Sequence, residues 1–197
     1  MLSPYVPLLF MGEEYGETAP FLYFTSHGDP ALIEAVRKGR REEFAAFRWQ
    51  GETPDPQDES TFEQSKLHWE SRGDKQQRTL WEFHAELLRL RKSLPALAQL
   101  TTHLLEVKDW EKEKVLMVRR WCKGHETIQV MNFSPCQVKM DLPIPEGRWR
   151  YELDSSDARW GGRATLPHCE IESPGITTCA LPAHCMRVLS RPSGSGA

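Results

Sequence analysis

The chain has 197 residues, 39% hydrophobic and 27% charged, with a net charge of −3. That composition supports a real core and excludes wholesale disorder, and the mild acidity argues against nucleic acid, which demands clustered Lys and Arg. The one basic cluster, Arg37, Lys38, Arg40 and Arg41, runs directly into Glu42 and Glu43, as a solvated helix face does.

"PLLFMGEEYG" opens the chain's first readable element. Tyr5 to Met11 is a continuous apolar run, the pattern of a strand buried on both faces, and it stops at Gly12 before the adjacent acids Glu13 and Glu14. "EEYGETAPFLYFTSHG" follows with no clean period. A connection of that length is expected to be functional, and its Phe21, Tyr23, Phe24 and His27 are expected either to pack the loop or to line a groove. Asp29 and Pro30 then mark a helix start, with Leu32, Ile33, Val36, Phe44 and Phe47 broadly on one side. Gly39 weakens its middle by about 1 kcal/mol, so one helix or two are both open.

"RWQGETPDPQDESTFEQSKLHWES" reads as a surface loop with one helical turn near Thr61–Leu67. The clearest helix comes next. Asp74 caps it, Leu80, Phe83, His84, Leu87, Leu88 and Arg91 keep 3.6-residue spacing, and Pro95 ends it near Ser93 or Leu94. His84, beside the apolar stripe, is expected to be a packing histidine rather than a metal ligand. After Leu100 the pattern changes to short β-rich runs: "HLLEV", "KVLMVRRW", "TIQVMNF", "QVKMDL", "WRYELD" and "CMRVLS". They are separated by turns such as Lys123-Gly124, an antiparallel sandwich or barrel signature.

The five cysteines, Cys122, Cys136, Cys169, Cys179 and Cys185, show no CxxC spacing and are expected to be reduced thiols. The turn Asp154-Ser155-Ser156-Asp157 lacks the alternating oxygen ligands of a calcium loop, so a hydrogen-bonded turn is expected and no metal. The seven tryptophans are expected mainly to pack. There is no secretory leader and no run approaching the roughly 20 apolar residues of a membrane span, so the expectation is a cytoplasmic protein. A single parallel-type strand cannot satisfy its own edges. The start on Leu2-Ser3-Pro4, just before that strand, therefore reads as a cut in a larger α/β sheet.

"PLLFMGEEYG" resembles the eighth barrel strand of the α-amylase superfamily, glycoside hydrolase family 13. The stretch through "EFAAF" and "PDPQDESTFEQSKLHW" is similar to its trehalohydrolase branch, and "YELDSSDARWGG" and "LPAHCMRVL" resemble the closing segments of the β domain there and in branching enzymes. The resemblance implies three parts: 1–97 as the last strand and helices of a (β/α)8 barrel, 98–192 as an antiparallel β-sandwich, and 193–197 as a disordered tail. It implies hydrolysis of the α-1,4 bond next to the terminal trehalose of maltooligosyl trehalose by a retaining mechanism, whose nucleophile and acid stand about 5–5.5 Å apart. No cofactor, nucleic acid or membrane partner is implied; the partner is a maltooligosaccharide held by the intact barrel. The family's three catalytic acids lie on earlier strands, and none maps onto this chain, so the piece itself is expected to be inactive. Glu13, Glu14 and Tyr15, on the implied rim, are the candidate sugar-binding residues. A non-catalytic carbohydrate-binding or partner module, or part of a glycogen branching enzyme, are the alternatives.

Overall fold

A computed structural model describes residues 1–46, 53–163 and 170–192. They form two compact units, one of Met1–Phe10 with Arg78–Ala197 and one of Met11–Gln77. Leu87, Leu90 and Leu97 of the helices pack with Leu153 and Val188 of the strands. Residues 193–197, Phe47, Trp49 and Cys169 lie outside the described residues.

Among the described residues the first unit carries α3 (Lys75–Ser93, from Arg78 on), α4 (Pro95–Ala98) and eight strands. These are β1 (Leu105–Trp110), β2 (Val115–Cys122), β3 (His125–Asn132), β4 (Val138–Leu142), β5 (Gly147–Asp154), β6 (Glu170–Ser173), β7 (Thr177–Leu181) and β8 (Cys185–Pro192). Six build one sheet in the order β1-β2-β3-β8-β5-β6, and β4 pairs β7 in a second; every pairing is antiparallel. Val115, Met117, Ile128, Val130 and Leu189 of the large sheet meet Leu142, Cys179 and Leu181 of the small one, with Trp149 fully buried among them. This is the expected sandwich, and the Trp149 indole N–H reaches Pro145 O at 2.8 Å. The Lys123-Gly124 turn adopts φ of 48° and 69°, the left-handed pair that a two-residue hairpin needs to match strand twist.

The other face of the large sheet is covered in part: Leu153 and Val188 pack against Leu87 and Leu90 of α3, Leu97 of α4, and Leu2, while Val107 of β1 is 52% exposed. Strand β5 serves both faces through a bulge. Tyr151 pairs Leu189 and Leu153 pairs Val188, so Glu152 is the extra residue. Without it, Tyr151 and Leu153 would point to the same side. With it, Tyr151 packs into the sandwich and Leu153 turns to the helices.

Two buried arginines complete that helix-side layer. Arg120, 1% exposed, donates to Leu2 O (2.8 Å), Leu97 O (3.4 Å) and Gln99 O (2.7 Å). Arg91 donates to Met1 O, Ser3 O and Tyr5 O at 2.5–2.8 Å. Burial and then repulsion from Arg91 push the Arg120 guanidinium below its ordinary pKa, and the carbonyls offset that cost.

The second unit carries α1 (Pro30–Ala46) and α2 (Glu59–Gln64). Asp29 caps α1 as expected, accepting from Ala31 N at 2.8 Å and Leu32 N at 3.4 Å. The helix passes through Gly39 unbroken, because an exposed glycine lowers propensity without opposing packing. Its half-buried face is Ile33, Val36, Arg37, Arg40 and Phe44, while Leu32 is exposed. Segment 22–27 is held against 55–65 by polar groups: Thr25 N reaches Pro56 O at 2.7 Å, and the Gln57 amide bonds both the N–H and the C=O of His27.

The opening segment differs from expectation. Residues 5–11 form no strand, and the apolar row is not buried: Val6 is 78% exposed and Leu8 95%. A strand is a ladder, and no described strand runs beside this segment to pair with its N–H and C=O groups. No group of three or more His, Cys, Asp or Glu among the described residues is placed to hold a metal. No described helix is long and apolar enough to cross a membrane.

Replacing Arg120 with Ala leaves the carbonyls of Leu2, Leu97 and Gln99 short of a donor that is itself 1% exposed. The expected loss is roughly 2–4 kcal/mol, read as a fall of about 1–2 M in the urea midpoint, whereas exposed Lys139→Ala stays within about 0.5 kcal/mol. An Arg120→Ala midpoint equal to wild type refutes the clamp.

Candidate functional site

The candidate residues sit in one tight turn of the second unit. Gly12 has φ 87° and Gly16 φ 71°, and between them Glu13–Tyr15 makes a single 3-10 turn. Tyr15 N and Glu17 N both bond Gly12 O, at 3.2 and 2.9 Å. Gly12 is required twice over. Its φ is left-handed, and a Cβ there would stand 2.5 Å from Glu17 Cβ.

Sequence adjacency in an extended chain would send Glu13 and Glu14 to opposite sides. In the 3-10 turn they project about 120° apart instead, still not toward one point. Glu13 is exposed and Glu14 half-buried. Tyr15 does not face outward: it is 1% exposed, and its hydroxyl donates to Glu17 Oε2 at 2.9 Å. Burial first, then that carboxylate, push the phenol up to about 12, so Tyr15 is a neutral donor and a packing group. Its polar end is committed inward.

The residue that sequence reading missed is Glu17. Its side chain is 6% exposed. Oε1 accepts from Thr18 N (2.7 Å) and Ala19 N (2.8 Å), and lies 3.0 Å from His68 Nδ1. Oε2 accepts from Tyr15 Oη and from His68 N at 2.7 Å. Burial alone would raise this carboxyl. The N–H groups of Ala19 and His68, with the Tyr15 hydroxyl and the His68 ring, overcome it and hold the group at about 2. His68 stands 51 residues away in sequence, and only the folded unit brings it here. Beside it Trp69 is 52% exposed, with Tyr15 behind it (ring centroids 6.1 Å apart) and the Arg72 guanidinium 4.9 Å over its ring.

The aromatic loop is divided. Phe21 is 61% exposed, Tyr23 lies under the Arg40 guanidinium at 4.9 Å, and Phe24 meets Phe62 edge-on at 5.2 Å. The other candidates resolve simply. His84 Nδ1 lies 3.0 Å from Leu80 O, as a packing histidine's does. Asp154 accepts from Ser156 N (2.8 Å) and pairs Arg187 at 2.6 Å, and Asp157 accepts from Arg159 N, so that turn is built from internal hydrogen bonds.

Because the Glu17 pKa is lower folded than unfolded, its contribution is complete above the ordinary carboxylate value near 4.5 and is lost as pH falls toward 2. A pH series of thermal midpoints is expected to drop across that window, and Glu17→Gln to be less stable at pH 7 with a flatter acid limb. An unchanged acid limb in the variant refutes the assignment.

No protein-family model matches this chain. It is 38% identical over 144 residues to a malto-oligosyltrehalose trehalohydrolase of Rhizobium sp. (strain M-11), covering 73% of this chain and 24% of that protein. It is 45% identical over 180 residues to the trehalohydrolase of Deinococcus radiodurans, covering 80% and 28%. A crystal structure of a Salmonella typhimurium protein named for the alpha amylases superposes with a TM-score of 0.70 at 32% identity, over 96% of this chain and 29% of that one. The chain thus spans about a quarter of the length of the curated relatives it matches. With sequence and fold pointing the same way, the chain belongs to the malto-oligosyltrehalose trehalohydrolase family of the α-amylase superfamily.

Proposed function

We propose that this chain supplies the portion of a malto-oligosyltrehalose trehalohydrolase that follows the catalytic acids. Residues 1–97 close a (β/α)8 barrel and 98–192 form the trailing β domain. The whole enzyme hydrolyses the α-1,4 bond beside the terminal trehalose of a maltooligosyl chain and releases trehalose. The observation that carries this reading is the match of four-fifths of the chain to a protein of that name at 45% identity.

The exposed row of Val6, Leu8 and Phe10 supports it physically. Such a row stays soluble poorly on its own and gains by pairing into a sheet, as a barrel strand does. That favours a part of a larger enzyme over a free-standing binding module. In this reading the Glu13–Glu14 turn stands at the C-terminal rim of the barrel, where such enzymes bind substrate. Glu13 and Glu14 contact sugar hydroxyls, and Tyr15 braces them from behind through Glu17.

The acids doing the chemistry lie elsewhere in the whole enzyme, so the purified 197-residue chain is expected to release no trehalose from maltooligosyl trehalose above background. Turnover by that chain, its mass confirmed, refutes the reading. In the intact enzyme, Glu13→Gln and Glu14→Gln are each expected to raise KM by roughly 3–10-fold with kcat within about twofold. A loss of kcat by several orders of magnitude would make one of them catalytic and overturn the supporting role.

A further inference from the structure

Glu17 does more than pin its own turn. It meets His68 twice, once at the backbone N–H through Oε2 (2.7 Å) and once at ring Nδ1 through Oε1 (3.0 Å). Two contacts from one carboxylate, itself fixed by Thr18 N, Ala19 N and Tyr15 Oη, set both the position and the plane of the imidazole. An ionised carboxylate only accepts hydrogen bonds, so the nitrogen facing it carries a hydrogen. In the neutral ring that hydrogen is the only one. The Nδ1–H form is thereby selected, and Nε2 is left with a bare lone pair. The ring is half exposed, and no described residue bonds Nε2.

We propose that His68 Nε2 is a built hydrogen-bond acceptor for a glucan hydroxyl, with Glu17 as the positioning residue that fixes its tautomer. The ligand class rests on the reading of the chain as part of a maltooligosaccharide-acting enzyme; the tautomer does not. A sugar hydroxyl gives a hydrogen as well as taking one. Guanidinium and backbone N–H groups answer only its oxygen. Arg72, stacked over Trp69 next to His68, offers donors of that kind, and His68 offers the complementary acceptor. The half-exposed Trp69 ring, backed by Tyr15, adds an apolar edge for the sugar's C–H face. The role is binding: His68 attacks nothing and transfers no proton.

The test is long-range proton–nitrogen correlation on the 197-residue chain labelled with nitrogen-15 histidine. It is run at about pH 8.5. The wild-type His68 spectrum is expected to show a bare nitrogen at Nε2 and a protonated one at Nδ1. In Glu17→Gln the amide can donate to Nδ1, and the ring is expected to shift toward the Nε2–H form. Maltotetraose is expected to move the wild-type Nε2 resonance saturably, and sorbitol at equal hydroxyl concentration to leave it in place. His68→Phe should weaken maltotetraose binding roughly 3–10-fold. A wild-type ring with its hydrogen on Nε2 overturns the proposal, as does an Nε2 resonance that maltotetraose leaves unmoved. If Nε2 responds to maltotetraose while the intact enzyme releases no trehalose, the site stands and the substrate assignment fails.

Discussion

A guanidinium taken almost wholly out of water must find its acceptors inside the protein. Arg120 finds them where the fold has carbonyls to spare. Leu97 and Gln99 lie at the end of α4, where a helix leaves its last C=O groups without intrahelical partners. Leu2 lies in a segment with no ladder of its own. Arg91 does the same for Met1, Ser3 and Tyr5. Two like charges in one layer repel, and the arrangement holds because each is surrounded by carbonyl dipoles in place of water. Their joint effect is to press the start of the chain beneath the large sheet, where Leu2 is 4% exposed.

That layer explains why the sheet is built two-faced. A sandwich alone needs its large sheet apolar only on the inner side. Here β3 buries Ile128 and Val130 inward, and Thr127 and Gln129 on the other face; the Gln129 amide reaches Leu2 O at 3.3 Å. Strand β5 meets the same demand differently. Its inward residues Trp149 and Tyr151 are followed by a bulge that turns Leu153 outward against Val188 and the helices. Straightening β5 would expose Leu153 or crowd it against the sandwich core, so the bulge belongs to the packing of α3 as much as to the sheet.

Much of this was legible in the sequence where the information is local. Asp29 announced α1, Pro95 closed α3, and short β-rich runs such as "KVLMVRRW" announced strands. The misses share a cause. "EIES" holds one apolar residue and "TTCAL" has no clean alternation, so β6 and β7 exist because β5 and β4 give them a ladder. The reverse applies to residues 5–11, which carry every local mark of a buried strand and no neighbour to make them one. In "VRRW", strand alternation sends Arg119 and Arg120 to opposite faces. Nothing local says which is buried, since Val115 and Met117 on one side and Leu116 and Val118 on the other are all apolar.

The site repeats the lesson in electrostatic form. Glu13 and Glu14 draw the eye because they stand side by side, yet a 3-10 turn points them about 120° apart. A retaining glycosidase needs two carboxyl groups facing each other across about 5–5.5 Å, one to attack and one to give a proton. Glu17, its side chain only 6% exposed, can do neither. Its oxygens are filled by backbone N–H, phenol and imidazole donors, and a group held ionised down to about pH 2 has no proton to give at neutrality. A carboxylate so fully engaged acts through what it holds. Here that is the turn bearing Glu13 and Glu14 on one side and the His68 imidazole on the other.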